Sequence, residues 1–427
     1  MKISRRGFIK SATAAGAVIG FPSIVPSSVF GSNAPSNRMV LGAIGVGSQG
    51  TGRMKDFLKR DNVQIVAVCD VDQKHRDKAK NTIDKEYKNS DCKTYVDFRE
   101  LIGRGDLDAL SICAPDHWHA ILAIAGARAG LDIFGEKPLA RSIREGRAMV
   151  NAVKEYARIW QTGCQQRSQR SFRHACELIR NGRIGKVYRV EVGLPSGSDR
   201  GVQPVAPVPS GLDWNFWLGP APWRPFCNFG RGGPHWDWRW IMDYSGGQLT
   251  DWAGHHIDIA HWGLGLEYTG PIEIEGKGEY PKEGLYNTPT SYKFTCKYVN
   301  GVEITVGDGK YFPNGTRWYG ENGWIFVSRE KLMSEPADIV NEEIGPGEIK
   351  LYESNDHVGN FVDCVRSRRP TIAPAEVGLR SISVGLLGEI AMLTGRKIRW
   401  NPEKEEITGD PDAGKLLGRS YREPWTL

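Results

Sequence analysis

The chain has 427 residues and a formal net charge of +6, and the basic residues Lys2, Arg5, Arg6 and Lys10 supply four of these charges within residues 1–34, which hold no acid. Loss of these four charges would lower the net charge of the chain from +6 to +2. A net charge of +2 gives the chain no electrostatic reason to bind nucleic acid or a membrane surface, so we predict neither partner. The length beyond residue 34 suits two domains, each with its own core.

The first 34 residues carry the pattern of an export signal. Arg5 and Arg6 precede a modest apolar run at 14–21, followed by small residues and prolines. Because the run is far too short to span a bilayer, it predicts a twin-arginine signal and no membrane span. We therefore expect a periplasmic protein that folds before export, carries its cofactor with it and restores the cofactor's redox state within each cycle.

A glycine-rich turn follows the first predicted strand, the apolar run 39–44. Residues 45–50 read G-V-G-S-Q-G, and a predicted helix continues through Phe57. Glycines here allow a tight turn and close backbone approach, so that a pyrophosphate can lie against the helix N-terminus. The residues predicted to contact this part of a dinucleotide are Gly45, Gly47, Ser48, Gln49 and Gly50.

Asp70 ends the next predicted strand, residues 63–69, and lies twenty residues after Gly50. This is the spacing of the carboxylate that binds ribose hydroxyls in dinucleotide-binding domains. Because a carboxylate repels a 2′-phosphate, the predicted cofactor is NAD rather than NADP. We predict that the nucleotide domain covers residues 35–163.

Short β-rich runs alternate with helices as far as residue 163, which predicts a parallel sheet. The strand predicted at 106–114 ends in Pro115, and residues 115–119 read P-D-H-W-H before the next helix. Since ligands bind beyond the carboxyl ends of such strands, we place His117 and His119 at the cleft and predict that His119 contacts the cofactor. Either histidine could instead be a surface residue at a helix start.

The strand predicted at 132–135 ends in Glu136 and Lys137, followed by Pro138. Proline fixes the backbone after this charged pair. A lysine beside the cofactor can hold a substrate hydroxyl and stabilise the charge of a forming alkoxide. A surface ion pair is the alternative, and spacing alone does not decide between the two.

Taken in order, the glycine turn, the motif at 115–119 and the E-K-P tripeptide at 136–138 resemble the Gfo/Idh/MocA family of oxidoreductases. The resemblance covers nearly the whole chain after residue 34. It implies that Lys137 is catalytic and that Glu136 and Pro115 line the nicotinamide side of the cleft. It also implies an α/β fold with an N-terminal Rossmann domain and a C-terminal α+β domain at 164–427, built on a large, open, mainly antiparallel sheet.

A last nucleotide-domain strand is predicted at 159–163 and leads to Gln165 and Arg167. If the family topology holds, both point toward the cleft, Gln165 to the cofactor and Arg167 to the substrate. An aromatic tract follows between residues 214 and 240. Indole faces suit the apolar faces of sugars, although aromatic residues more often pack in cores. The substrate contacts predicted in this tract are Trp236, Asp237 and Trp238, and Arg239 could bind a hydroxyl.

Asp251 and His255 lie four residues apart on a helix predicted to continue to residue 262, and so share one face. A carboxylate there can orient an imidazole, as a general base requires, although a capping Asp and a core His are the alternative. The family resemblance implies a D-x-x-x-H partner for the E-K-P lysine, so we predict Asp251 and His255 to be catalytic. His256 is a further predicted substrate contact. We predict no metal site, although His235, Asp237 and His256 offer one combination of ligands.

Beyond this helix, strands are predicted at 272–280, 291–299, 302–307 and 323–327, helices at 356–365 and 378–393, and an extended tail from residue 401. Tyr292, Phe294, Cys296 and Tyr298 alternate with polar residues, so one sheet face is buried. The family resemblance implies a homo-oligomer assembled through this sheet. Cys69 and Cys113 lie in predicted core strands, and we expect most of the eight cysteines to be reduced.

These features predict an exported NAD-dependent oxidoreductase that removes hydride from a hydroxyl-bearing carbon of a sugar or glycoside. One alternative is a glycoside hydrolase that uses NAD transiently, because oxidation to a ketone acidifies the neighbouring C–H and permits elimination. The exported hydrolase branch of the family lacks the lysine motif and this Asp–His pair, which favours plain redox chemistry. The other alternative is a non-catalytic dinucleotide or sugar sensor, against which Lys137, Asp251 and His255 count.

Overall fold

The computed structural model describes residues 37–230 and 233–427. The predicted export signal at 1–34 lies outside these ranges. Two sheets organise the described chain, one built from residues 39–162 and the other from residues 187–407. Residues 39–427 form one compact unit, so the two sheets share an extensive boundary.

The first sheet is parallel, with strand order β3-β2-β1-β4-β5-β6. Its strands are β1 (Met39–Ile44), β2 (Val63–Cys69), β3 (Lys93–Tyr95), β4 (Ala109–Ile112), β5 (Asp132–Gly135) and β6 (Trp160–Thr162). The predicted strands at 39–44, 63–69 and 132–135 are confirmed. The order reverses between β1 and β4, and ligands of open α/β sheets bind beyond the strand ends at such a reversal.

Helices cover both faces of this sheet. They are α1 (Ser48–Leu58), α2 (Gln73–Tyr87), α3 (Phe98–Ile102), α4 (His119–Arg128) and α5 (Ile143–Glu155). Asp72 and Ser142 are the N-caps of α2 and α5, and the side chain of each accepts a hydrogen bond from a backbone amide in the first turn of its helix. Burial on both faces explains why β4 and β5 are fully buried rather than alternating.

The second sheet has nine strands in the order β13-β12-β11-β7-β10-β9-β8-β14-β15. β7 and β10 are parallel, and the other neighbours are antiparallel. The strands are β7 (Val187–Leu194), β8 (Glu273–Glu279), β9 (Ser291–Lys297), β10 (Glu303–Asp308), β11 (Gly315–Gly320), β12 (Gly323–Val327), β13 (Leu332–Glu335), β14 (Ile398–Asn401) and β15 (Glu406–Ile407). The predicted alternation is confirmed, because Tyr292, Phe294 and Cys296 are buried while Lys293 and Lys297 are exposed.

Two long helices, α9 (Gly247–Leu264) and α11 (Ala375–Thr394), pack against each other and against the buried face of the second sheet. The remaining helices are α6 (Arg170–Arg180), α7 (Trp214–Leu218), α8 (Pro234–Asp237), α10 (His357–Ser367) and α12 (Pro411–Lys415). β15 and α12 therefore replace the extended tail expected after residue 401. Within the described chain, α11 alone is long and apolar enough to cross a membrane, and 83% of its apolar window is buried inside the protein, as in a core helix.

All eight cysteines are free, seven of them buried and Cys113 half-buried. This agrees with the expectation of reduced cysteines. Burial raises the pKa of the Cys92 thiol to about 11, so that cysteine is protonated at neutral pH. These side chains act as small apolar residues in the core.

Candidate active site

A cleft opens at the carboxyl ends of the first sheet and reaches α9 of the second part of the chain. Its walls combine the glycine turn, the strand-end acids and several aromatic side chains. The residues that carry the predicted chemistry or border it are Gly45, Gly47, Ser48, Gln49, Gly50, Asp70, Pro115, Asp116, Glu136, Lys137, Trp238, Arg239 and Asp251. The structure thus brings most of the predicted cofactor residues together around one cavity.

The glycine turn requires glycine at two positions. Gly45 has φ +76°, a left-handed conformation, and a Cβ on Gly50 would lie 1.8 Å from the Gly45 carbonyl oxygen. Gly47 is the N-cap of α1 and no side chain caps that helix, so the first amides of α1 are free to bind an anion. These features fit a pyrophosphate at the helix N-terminus.

Asp70 is tied to the glycine turn. Its Oδ2 accepts a hydrogen bond from the Val46 amide at 2.9 Å and lies 3.3 Å from His75 Nδ1, and its Oδ1 accepts from the Asp72 amide at 3.0 Å. Burial alone would raise the pKa of Asp70, but the hydrogen bond and charge of His75 outweigh burial and lower it. Asp70 is therefore an ionised acid at the ribose end of the cleft.

His235 reaches the same end of the cleft from α8, where its Nε2 lies 3.0 Å from Asp72 Oδ2 and its ring centroid 4.3 Å from that of His75. In the described ranges, Asp72, His75 and His235 form the one group whose potential metal-ligand atoms all lie within 4.8 Å of one another. This group differs from the combination of His235, Asp237 and His256 considered from the sequence. Burial lowers the pKa of His235, which keeps that ring neutral.

Glu136 lies at the other end of the cleft. One of its carboxylate oxygens accepts hydrogen bonds, and the other has no hydrogen-bond partner among the described residues. Its Oε1 accepts from Gln49 Nε2 at 3.0 Å and from Gln165 Nε2 at 3.3 Å, and Arg53 Nε is 3.4 Å away. Its Oε2 is buried and has no partner in the described structure. Since buried acceptors are rarely left unpaired, this oxygen fits a donor on a bound ligand. Gln165 is placed behind Glu136 and orients it.

Lys137 and Asp251 form the ion pair at the centre of the site. Lys137 Nζ donates to Asp251 Oδ1 at 2.8 Å and to the Asp251 backbone carbonyl at 3.1 Å. Their side chains are only 13% and 11% exposed. Burial would raise the pKa of Asp251, but the charges of Lys137 and Arg239 outweigh it and lower that pKa. The pair joins the end of β5 to the first turns of α9, residues 114 positions apart.

His255 lies one turn beyond Asp251, with 4% of its surface exposed. Its Nδ1 is buried without a partner, and its ring packs edge-on against Trp252. Asp251 is bonded to Lys137 and not to His255 in the described residues, so the structure differs from the prediction that Asp251 orients this imidazole. Burial, together with the charges of Lys137 and Arg329, holds the pKa of His255 well below its usual value. The ring is therefore neutral.

His119 braces the loops instead of lining the cavity. Its Nδ1 lies 2.8 Å from the Pro138 carbonyl and its Nε2 lies 2.8 Å from the Ala114 carbonyl, so the ring ties the loop after β4 to the loop after β5. This corrects the predicted cofactor contact. Asp116, which was not predicted, does line the cavity, accepts from Ser245 Oγ at 2.7 Å, and has its pKa raised by burial to about 6.

The predicted substrate contacts are only partly placed at the cleft. Arg167 is buried and makes a bidentate pair with Asp258 at 2.6 and 2.9 Å, because its side chain turns into the core. His256 is buried against Trp252, with Nε2 2.8 Å from Asn314 Oδ1, and Asp237 accepts from the Gly230 amide. These three predictions are corrected. Trp238 lines the cavity, whereas Trp236 is 49% exposed and packs on Arg239.

The C-terminal residues form a support that no sequence pattern indicated. Arg419 donates to Glu145 and to the His117 carbonyl, and Trp425 packs on Phe98 and Trp118. Phe98 and Trp118 line the cavity, so this tail stiffens the wall that faces the cofactor. The residues that this tail contacts are distant in sequence, so the sequence of the tail alone did not predict these contacts.

Two family models match the chain. "Oxidoreductase family, NAD-binding Rossmann fold" matches residues 39–164, and "Oxidoreductase family, C-terminal alpha/beta domain" matches residues 178–427. Both belong to the Gfo/Idh/MocA group, and together they cover both sheets.

Relatives agree with this assignment. Myo-inositol 2-dehydrogenase of Thermotoga maritima is 30% identical over 389 residues, which is 87% of this chain and 100% of that protein. An alpha-N-acetylgalactosaminidase of Shewanella oneidensis is 34% identical over 165 residues, only 34% of this chain and 35% of that protein.

Solved structures support the fold. GenD2 from gentamicin A biosynthesis, in complex with NAD, superposes with a TM-score of 0.62 at 16% identity over 85% of this chain and 97% of GenD2. Aldose-aldose oxidoreductase from Caulobacter crescentus gives a TM-score of 0.61 at 18% identity over 85% of this chain and 99% of that one. The chain belongs to the Gfo/Idh/MocA family of NAD-binding oxidoreductases.

Proposed function

We propose that this protein oxidises a hydroxyl group of a sugar or cyclitol with NAD as the hydride acceptor. The observation that carries this proposal is the buried Lys137–Asp251 pair, which lines the same cleft as the glycine turn and Asp70. The full-length similarity to myo-inositol 2-dehydrogenase supports an alcohol on a polyhydroxylated ring as substrate.

The residues present fit NAD. The free amides at the start of α1 would hold the pyrophosphate, Asp70 the ribose hydroxyls, and the unpaired Glu136 Oε2 a donor at the nicotinamide end. Bound NAD supplies a carbon that accepts hydride.

The ammonium of Lys137 would hold the substrate hydroxyl and stabilise the charge that develops on its oxygen. Asp251 keeps Lys137 oriented, because the carboxylate is fixed on α9 and accepts from Nζ at 2.8 Å. We propose His255 as the proton acceptor, since its ring is neutral and lies one turn from Asp251 on the same helix.

The proposal extends to location and assembly. The twin-arginine pattern at Arg5 and Arg6 supports export to the periplasm, where the cofactor would remain bound and be recycled on a second substrate. The polar outer face of the nine-stranded sheet is the proposed surface for homo-oligomer assembly.

The test begins with the purified protein as isolated. Denaturation and assay of the supernatant should release NAD or NADH in near-stoichiometric amount. Incubation of the native protein with sugars and cyclitols should then change the absorbance of reduced nicotinamide. Lys137→Met should slow turnover by at least about 100-fold, whereas Lys415→Met, at a 77% exposed position, should not. Equal rates for the two variants would remove the case for an alcohol dehydrogenase.

A glycoside hydrolase that uses NAD transiently is the second candidate function. The 34% identity to the Shewanella alpha-N-acetylgalactosaminidase favours it, although the match is confined to about a third of each chain. Release of nitrophenol from nitrophenyl glycosides without added NAD would establish this activity. Its absence, together with reduction of the cofactor by free sugars, would leave plain redox chemistry.

A further inference from the structure

Three side chains with metal-binding atoms meet at the ribose end of the cleft. Asp72 caps the start of α2, His75 lies in the first turn of that helix, and His235 lies in α8. One ligand atom from each residue lies within 4.8 Å of the other two. Both histidines also line the cavity, so an ion in the cleft can reach the cluster. The three residues therefore offer a site that joins the nucleotide domain to the second part of the chain.

His75 has the surroundings of a metal-binding histidine. Its Nδ1 lies 3.3 Å from Asp70 Oδ2, and its Nε2 makes no hydrogen bond within the described residues. A histidine that binds a metal through one ring nitrogen usually donates the N–H of the other nitrogen to a carboxylate or a carbonyl, and this bond fixes the tautomer and the direction of the ring. Asp70 provides that carboxylate, which leaves Nε2 of His75 to bind an ion.

His235 and Asp72 already have nearly the spacing of two ligands of one ion. His235 Nε2 lies 3.0 Å from Asp72 Oδ2. A tetrahedral zinc ion with bonds of about 2.0–2.1 Å holds its ligand atoms about 3.3 Å apart. The other carboxylate oxygen, Asp72 Oδ1, accepts a hydrogen bond from the Lys74 amide at 2.8 Å, so the start of α2 holds this carboxylate while Oδ2 faces the ring. An ion bound here would replace the proton of the hydrogen bond between His235 and Asp72.

The full set of ligands requires a small movement. Atoms up to 4.8 Å apart must approach to about 3.3 Å, a change of up to about 1.5 Å. Side-chain rotation can supply this change, because the side chains are not locked in the core. Their exposed fractions are 24% for His75, 26% for His235 and 16% for Asp72.

We propose that Asp72, His75 and His235 bind one divalent transition-metal ion, with Zn²⁺ as the expected ion. Two imidazole nitrogens and one carboxylate suit Zn²⁺, whereas Mg²⁺ and Ca²⁺ prefer oxygen ligands. With three protein ligands, the fourth position remains open to water. The proposal departs from the expectation of no metal site, since His235 lies 163 positions after Asp72 and no local motif joins them. It does not depend on the proposed reaction.

The test uses protein purified without a histidine tag and dialysed against a chelator. Titration with Co²⁺, whose visible absorption changes when imidazole binds it, should show one site per chain in the wild type. Zn²⁺ should displace the Co²⁺, and Mg²⁺ at the same concentration should not. Urea unfolding of the wild type should shift to higher urea concentration when Zn²⁺ is added, because the ion binds the folded state.

Variants of the ligands distinguish this site from other histidines. His235→Gln should weaken Co²⁺ binding by at least about 100-fold, and Asp70→Asn, which only loosens the orientation of His75, by about 10- to 100-fold. Asp72→Asn should also lose the ion, although asparagine caps a helix as well as aspartate does. His174→Gln is the matched control, because this half-buried histidine of α6 lies 3.0 Å from the Val340 carbonyl, away from the cluster, and should keep the wild-type affinity.

Three outcomes would overturn the proposal. One is equal Co²⁺ affinity in the wild type and in His235→Gln. The second is loss of the ion from His174→Gln while Asp72→Asn retains it, since the ion would then bind elsewhere. The third is displacement of Co²⁺ by Mg²⁺ as readily as by Zn²⁺, which would indicate a site built from oxygen ligands. Urea unfolding of each variant without metal shows whether it is folded, and the Zn²⁺-dependent shift should be absent from His235→Gln and Asp72→Asn.

Discussion

Gly50→Ala tests whether the cofactor is held by close approach of the glycine turn. The added Cβ would lie 1.8 Å from the Gly45 carbonyl oxygen, and real Cβ atoms essentially never come within 3.0 Å of another heavy atom. The turn and α1 must therefore separate by at least 1.2 Å, the difference between these distances. Gly45 cannot yield freely, because its amide donates to the Cys69 carbonyl at 2.8 Å.

The displacement moves the amides that bind the pyrophosphate. A misplacement of this size weakens binding by about 100-fold, or about 2.7 kcal/mol. Forcing an extra methyl group against the backbone also costs about 3 kcal/mol in the free energy of unfolding, the upper end for overpacking. We therefore expect Gly50→Ala to purify with little NAD and to unfold at lower urea concentration.

Gly52→Ala is the matched control, because Gly52 lies on the same helix and a Cβ there meets nothing within 4 Å. Alanine is a better helix former than glycine by about 0.8–1.0 kcal/mol, so this variant should be slightly more stable and keep its NAD. NAD per mole of protein, measured after denaturation, and urea unfolding provide the readouts. Full NAD content in Gly50→Ala would refute the role of the glycine turn.

Three further predictions concern the neighbouring residues. Asp70→Asn should weaken NAD binding by about 10-fold, because the Val46 amide and the ribose hydroxyls lose a charged acceptor. A titration of the cofactor-free protein should also show a smaller ratio of NAD affinity to NADP affinity than in the wild type. Arg167→Met should lower the free energy of unfolding by about 3–5 kcal/mol, because it leaves Asp258 buried and unpaired; an unchanged urea midpoint would contradict this. Some buried histidines have a pKa of about 4, so between pH 6.5 and pH 4 only the unfolded state binds their protons. The free energy of unfolding should therefore fall as the pH drops through this range, by up to about 1.4 kcal/mol per pH unit for each of these histidines. His261→Gln should flatten that slope by its own share, up to about 1.4 kcal/mol per pH unit, in urea unfolding at several pH values. These histidines are His256, His261 and His357.

The cofactor half of the site was predictable because its signals are local. Gly50 and Asp70 each follow a buried strand, and the carboxyl ends of parallel strands meet at one edge of a sheet. Once the strands at 39–44 and 63–69 were identified, the sheet itself brought these residues together. The same reasoning placed Glu136 and Lys137 at the cleft.

The substrate half was less predictable because its contacts are distant in sequence. Helix periodicity places His255 beside Asp251, but Asp251 instead pairs with Lys137, since a buried carboxylate gains more from a cation than from a neutral imidazole. Arg167 was expected at the cleft, yet its partner Asp258, 91 residues away, draws it into the core. No pattern within either segment indicates these pairings.

The aromatic tract shows the same limit. Trp214, Trp217, Phe226 and Trp238 belong to one core cluster, and of these four residues Trp217 and Trp238 also line the cleft. Composition alone cannot separate these roles, because an indole in a core and an indole in a binding wall obey the same preference for burial.

Three buried ion pairs join the cofactor side of the cleft to the helices of the second sheet. In each, the cation comes from residues 137–167 and the acid from α9 or α11: Lys137 with Asp251, Arg141 with Glu389, and Arg167 with Asp258. Because breaking a buried pair costs about 3–5 kcal/mol, the two sides cannot separate at this boundary without a large penalty. The position of α9, which carries Asp251, relative to the glycine turn is therefore fixed by the fold. Discrimination between substrates must then depend on the side chains that border this boundary, among which the charged Asp116 and Arg239 line the cleft.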